Sequence, residues 1–68
     1  MKNRLTRLED IRTLIKNRRI ESQEELLVHL QKEGYTVTQA TLSRDLVEIG
    51  AERIRDEGAG LIYAVPNY

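Results

Sequence analysis

At 68 residues the chain has room for one domain, spanning residues 1–68. It has no cysteine and a single histidine, His29, which excludes a disulfide and argues against a structural metal site. Hydrophobic residues at 40% and charged residues at 32% give the balance of a globular domain, and no apolar run approaches the length needed to cross a membrane. The opening Met-Lys-Asn-Arg-Leu-Thr-Arg lacks the apolar stretch and cleavage site of a signal peptide, so a cytoplasmic location is expected.

The formal net charge is zero, which by itself argues against a nucleic-acid partner. The distribution is uneven. Residues 1–19 carry seven basic side chains (Lys2, Arg4, Arg7, Arg12, Lys16, Arg18 and Arg19) against Glu9 and Asp10, a net of +5. Residues 20–68 carry a net of −5. A polarised molecule can turn one positive face to phosphates; the plainer reading of the same run is a solvated charged helix.

In chain order, Leu5, Leu8, Ile11 and Ile15 recur at steps of three and four, with Leu14 beside the last. This spacing predicts a helix from about Leu5 to Lys16 with these residues on its buried stripe. Ser22 and Glu25 then form a capping box, in which the hydroxyl accepts from the Glu25 N–H and the carboxylate reaches back to the Ser22 N–H. Leu26, Leu27 and Leu30 supply the apolar face of the second helix, and Gly34 its left-handed stop, for a span of about Gln23 to Glu33. After a short turn, Thr38 caps a third helix. Val37 is placed to staple onto Leu42, and Leu42, Leu46 and Ile49 face inward until Gly50 ends the helix. Two short runs, Ala51 to Arg55 and Leu61 to Val65, flank a turn containing Gly58 and Gly60, which predicts a β-hairpin stopped by Pro66.

Helix, helix, glycine-containing turn, helix and hairpin is the order of a winged helix-turn-helix: mostly α, with three helices and a two-stranded wing. With Leu42, Leu46 and Ile49 inward, Ala40, Arg44 and Val47 point outward, flanked by Gln39, Thr41 and Ser43. A surface helix kept only for solubility shows more Lys and Glu. Small residues around one arginine suit a helix entering a major groove about 12 Å wide. Arg44 can pair with guanine O6 and N7, Gln39 with adenine, and Ala40 or the Thr41 methyl can touch thymine. Thr38 and Ser43 can bond to phosphates or base edges. The plainer alternative makes Thr38 only a cap and Arg44 a partner of Glu48 one turn on. In the wing, Arg53 and Arg55 share a strand face and can meet phosphates or a minor groove; pairing with Glu52, Asp56 or Glu57 is the alternative. His29 reads as an ordinary exposed or half-buried residue, and Tyr35 and Tyr63 as the edge of the core. Ser43, Asp45 and His29 are triad residue types without triad geometry, and no enzyme is expected.

The run Gly34-Tyr35-Thr36-Val37-Thr38-Gln39-Ala40-Thr41-Leu42-Ser43-Arg44-Asp45-Leu46 resembles the recognition-helix region of the bacterial arginine repressors. Ser22 to Leu26 resembles their second helix, and Gly60 to Pro66 the end of their wing. The resemblance implies a regulator of arginine biosynthesis genes that binds AT-rich palindromic operators in double-stranded DNA, with Ser43 and Arg44 contacting the operator. Family members carry a C-terminal domain that binds L-arginine as corepressor and assembles a hexamer. The chain reaches Tyr68, about where the linker to that domain begins, so an isolated DNA-binding domain is expected, monomeric and without a cofactor of its own. The rival reading is a winged-helix module that binds a protein, which calls for an exposed cluster of large apolar or aromatic residues.

Overall fold

The computed structural model describes residues 3–58 and 60–65; the expected stop at Pro66 lies outside them. Three helices and a hairpin follow in order: α1 (Arg4–Asn17), α2 (Gln23–Lys32), α3 (Gln39–Glu48), β1 (Glu52–Asp56) and β2 (Gly60–Ala64). This is the winged helix-turn-helix that the sequence predicts, with element ends displaced by a residue.

Each helix starts on a side-chain cap. Asn3 accepts from the Thr6 N–H at 2.9 Å, Ser22 from the Glu25 N–H at 3.1 Å and Thr38 from the Thr41 N–H at 3.2 Å. The return bond of the capping box differs from expectation: the Glu25 carboxylate accepts from the Glu21 N–H at 3.1 Å rather than from Ser22. It thereby ties the approach to α2 one residue earlier. Gly34 and Gly50 follow α2 and α3 with φ of 95° and 73°, the left-handed conformation that glycine adopts without penalty.

The core is assembled from the three helices, β2 and the loops between them. Ile11 and Ile15 of α1, Ile20 of the following loop, Leu26 and Leu30 of α2, Leu42 and Leu46 of α3, Ile49 at the end of α3 and Tyr63 of β2 enclose one cluster, with Tyr35 of the turn at its side. Ile11, Ile20, Leu26, Leu30 and Leu42 are fully buried. Each such side chain contributes about 1.5–3 kcal/mol through removal from water. Val37, the expected staple, is half-buried against the same cluster. Leu5 departs from expectation. It is 72% exposed, because α1 meets α3 there through Arg4 and Arg7 rather than through the apolar stripe.

The strands pair antiparallel in the register Glu52 to Ala64, Arg53 to Tyr63, Ile54 to Ile62, Arg55 to Leu61 and Asp56 to Gly60. The wing is fastened to the body by three contacts. The Tyr63 N–H donates to the Ile20 carbonyl at 2.8 Å, the Arg53 guanidinium donates to the Glu21 carbonyl at 3.1 Å, and Arg19 pairs with Asp56 at 2.7 Å. All three reach the segment between α1 and α2, so the hairpin is held at a fixed place beside the helix-turn-helix.

Candidate nucleic-acid interface

At 100° per residue, Ala40, Arg44 and Val47 stack along one line of α3, and all three are exposed. Val47 is 80% exposed. Gln39 lies exposed on one side, and Thr41 and Ser43 are half-buried at the flanks. Leu42, Asp45, Leu46 and Ile49 occupy the opposite side and are buried.

The electrostatics of this helix are set from α1. Helix α3 contains two carboxylates, Asp45 and Glu48, and each is taken by an arginine. Arg7 grips Asp45 through two bonds, Nε at 2.6 Å and Nη2 at 3.2 Å. Arg4 pairs with Glu48. Asp45 is 3% exposed, and the bond to its carboxylate holds the Arg7 guanidinium above its ordinary pKa. Arg44 is exposed and pairs with neither acid. The alternative of an Arg44–Glu48 pair is therefore not what forms, and among the described residues the exposed face of α3 presents one unpaired cation.

Behind this helix, Tyr35 donates to Asp10 at 2.5 Å. Burial, reinforced by that carboxylate, pushes the tyrosine up to about 12. The bond connects the turn before α3 to α1, and Arg7–Asp45 connects α3 to the same helix. The orientation of α3 thus rests on polar ties as well as on packing.

The other predicted residues fall into two groups. Thr38 is exposed, and its hydroxyl already serves the cap while donating to the Thr41 hydroxyl at 3.1 Å. Ser43 donates to the Gln23 side chain at 2.8 Å, a partly buried bridge between α3 and the first residue of α2. Arg53 is tied down by the Glu21 carbonyl and lies over the Tyr63 ring, 5.5 Å from its centroid. It pairs with none of the acids considered from sequence. Arg55, two residues along β1, is exposed and has no ion pair among the described residues. His29 is half-buried, as expected.

Gln23, Arg7 and Asp45 were not evident as parts of this region from the sequence. Asp45 did carry a signal. At 100° per residue it falls about 40° from Ile49 and about 60° from Leu42, at the edge of the inward side, and a carboxylate there demands a cation. Among the described residues no cluster of His, Cys, Asp or Glu is arranged to hold a metal ion, and no helix is long and apolar enough to cross a membrane.

The chain matches the family described as the arginine repressor DNA-binding domain over residues 2–68. It is similar to the arginine repressor of Streptococcus pyogenes serotype M6, 47% identical over 97% of this chain and 46% of the relative. The arginine repressor of Chlorobaculum tepidum is 48% identical over 94% of this chain and 43% of its own length. That of Phocaeicola vulgatus is 42% identical over 98% and 42%. The chain thus spans less than half the length of these relatives. The resemblance seen in the recognition-helix run extends over almost every residue, and the chain belongs to the family of arginine repressor DNA-binding domains.

Proposed function

We propose that α3 lies in the major groove of operator DNA and reads it in the service of an arginine-responsive repressor of arginine biosynthesis genes. The observation that carries this reading is the exposed stripe of α3. It is made of small or uncharged side chains around Arg44, while both carboxylates of the helix are held by Arg4 and Arg7. A phosphate-lined groove would repel unpaired acids and attract a lone guanidinium. Arg44 would donate to guanine O6 and N7, Gln39 to adenine, and Ala40 and Thr41 would lie against thymine. Thr38 and Ser43 would contact the backbone, with Ser43 oriented by Gln23. Arg55 would meet phosphates from the wing; Arg53 would chiefly hold the wing in place.

The operator is proposed to be an AT-rich palindrome. L-Arginine binding and hexamer assembly are placed in a C-terminal domain, outside these 68 residues, and the chain itself is expected to act as a monomer in the cytoplasm. A protein-docking role is the weaker reading, since the outward face of α3 offers Val47 as its one large apolar group.

The test is Arg44→Ala in a gel-shift titration against AT-rich palindromic and shuffled duplexes. One bidentate pair to guanine is worth about 1–3 kcal/mol of discrimination. The variant should therefore lose roughly five- to 150-fold in preference for the specific duplex. An unchanged ratio would remove Arg44 from base recognition.

A further inference from the structure

Val47 is the most exposed large apolar side chain among the described residues, at 80%, and it stands on the outward face of α3 one residue before the helix ends. Counting 100° per residue, Val47 and Ala40 lie within about 20° of each other, and Arg44 within about 60° of Val47. An aliphatic side chain in that place gains little from burial. It stands outside the core cluster, and a β-branched side chain on an exposed helical surface is less favourable than alanine. The neighbours of Val47 also argue against a protein partner. Glu48 beside it is held by Arg4, Arg44 one turn back has no ion pair among the described residues, and no second large apolar residue of α3 is exposed with it.

We infer that Val47 is a specificity-determining residue that packs on the C5-methyl group of a thymine, within two base pairs of the base contacted by Arg44. The inference rests on the reading of α3 as a major-groove helix. The rise of a helix puts Val47 about 4.5 Å beyond Arg44 and about 10 Å beyond Ala40. Base pairs follow at about 3.4 Å, so the Ala40–Arg44–Val47 line spans about three of them. Positions spaced by three, four and seven residues are also those through which a homeodomain's third helix reads the groove. The thymine methyl is the one apolar feature that bases present in the major groove, and an isopropyl group is its natural complement. Ala40 and Val47 then bracket Arg44, giving the helix an apolar–cationic–apolar pattern that selects a guanine contact with thymine-bearing pairs on either side.

The test separates this contact from DNA binding in general. A duplex preferred by the 68-residue chain is first selected from a random library. Each thymine is then replaced in turn by deoxyuridine, which deletes only the methyl group. The wild-type chain should lose about three- to tenfold in affinity at one position near the Arg44-dependent base, the worth of one buried methyl contact. Val47→Ala, an exposed substitution that favours the helix, should bind the parent duplex more weakly by a similar factor and be indifferent to deoxyuridine there. If selection yields a preferred duplex and Arg44→Ala loses it, but no deoxyuridine position distinguishes Val47→Ala from wild type, the Val47 contact is refuted while DNA reading by α3 stands. If selection yields no preferred duplex, the groove reading fails and the Val47 contact falls with it.

Discussion

The polar tie between α1 and α3 predicts an ordering of stabilities. Asp45 is 3% exposed and short, so it cannot follow its partner into water. Arg7 is long, with 16% of its side chain exposed, and can swing outward. Arg7→Met keeps the covering stem but removes the charge, leaving a carboxylate buried without its cation. Breaking a buried pair in this way costs about 3–5 kcal/mol, and the exposed edge of Arg7 favours the lower end. Asp45→Asn leaves an oxygen to accept from the guanidinium, so about 1–2 kcal/mol is expected. Replacing both partners, Arg7→Met with Asp45→Leu, removes both desolvated charges and should recover most of the loss. A domain of this length has only about 3–10 kcal/mol in total, so the single variant sits near the limit of folding. Urea denaturation followed by circular dichroism measures all three, with constant m values as the check that the folded state is the same. If Arg7→Met costs less than Asp45→Asn, or under about 0.5 kcal/mol, the pair behaves as a surface contact and the account of how α3 is held is wrong.

Four further outcomes follow from the places of named residues. Leu42→Ala should lose about 2–5 kcal/mol, because the side chain is fully buried; an unchanged melting temperature would place it outside the core. Tyr35 holds its proton up to about 12 in the folded chain against an ordinary 10, so the unfolded chain ionises first as pH rises. Its contribution is complete below about pH 10 and is lost between about 10 and about 12, a decline that urea titrations should show in the wild type and not in Tyr35→Phe. In the wing, Arg55→Ala should leave stability unchanged and reduce the slope of log affinity against log salt by about 0.9. Arg53→Ala should instead cost about 1 kcal/mol of stability, through loss of the Glu21 and Tyr63 contacts. A stable Arg53→Ala would refute its anchoring role.

What could be read from the sequence was local. Caps, stops and helical phase depend on residues three or four apart, and Ser22, Thr38, Gly34 and Gly50 stand where that logic puts them. The hairpin followed from its glycines for the same reason. The exposed face of α3 was legible because turning Leu42, Leu46 and Ile49 inward fixes what remains. What failed depended on distant partners. Arg7 and Asp45 are 38 residues apart, and no periodicity joins them. Leu5 fits the stripe of α1 but lies where a polar contact to α3 replaces apolar packing. Ser43, read from sequence as a flanking hydroxyl able to bond to phosphates or base edges, spends its proton on Gln23, 20 residues away.

The same ties explain how a chain of zero net charge can present itself to a polyanion. The excess of positive charge in residues 1–19 and of negative charge thereafter suggested one basic and one acidic region. Folding does something more selective. Arg4, Arg7 and Arg19 from the first segment each take a carboxylate from the second, at Glu48, Asp45 and Asp56. These are the two acids of α3 and the last residue of β1. The pairs are short-range and nearly cancel at a distance, whereas Arg44 on α3 and Arg55 on β1 keep their fields. Neutrality of the whole is therefore compatible with a positive outward face on α3, because both carboxylates of that helix are held by arginines of α1. Restoring a charge there should be more damaging to DNA affinity than adding the same charge elsewhere, since it acts within a Debye length of the phosphates while leaving the core intact.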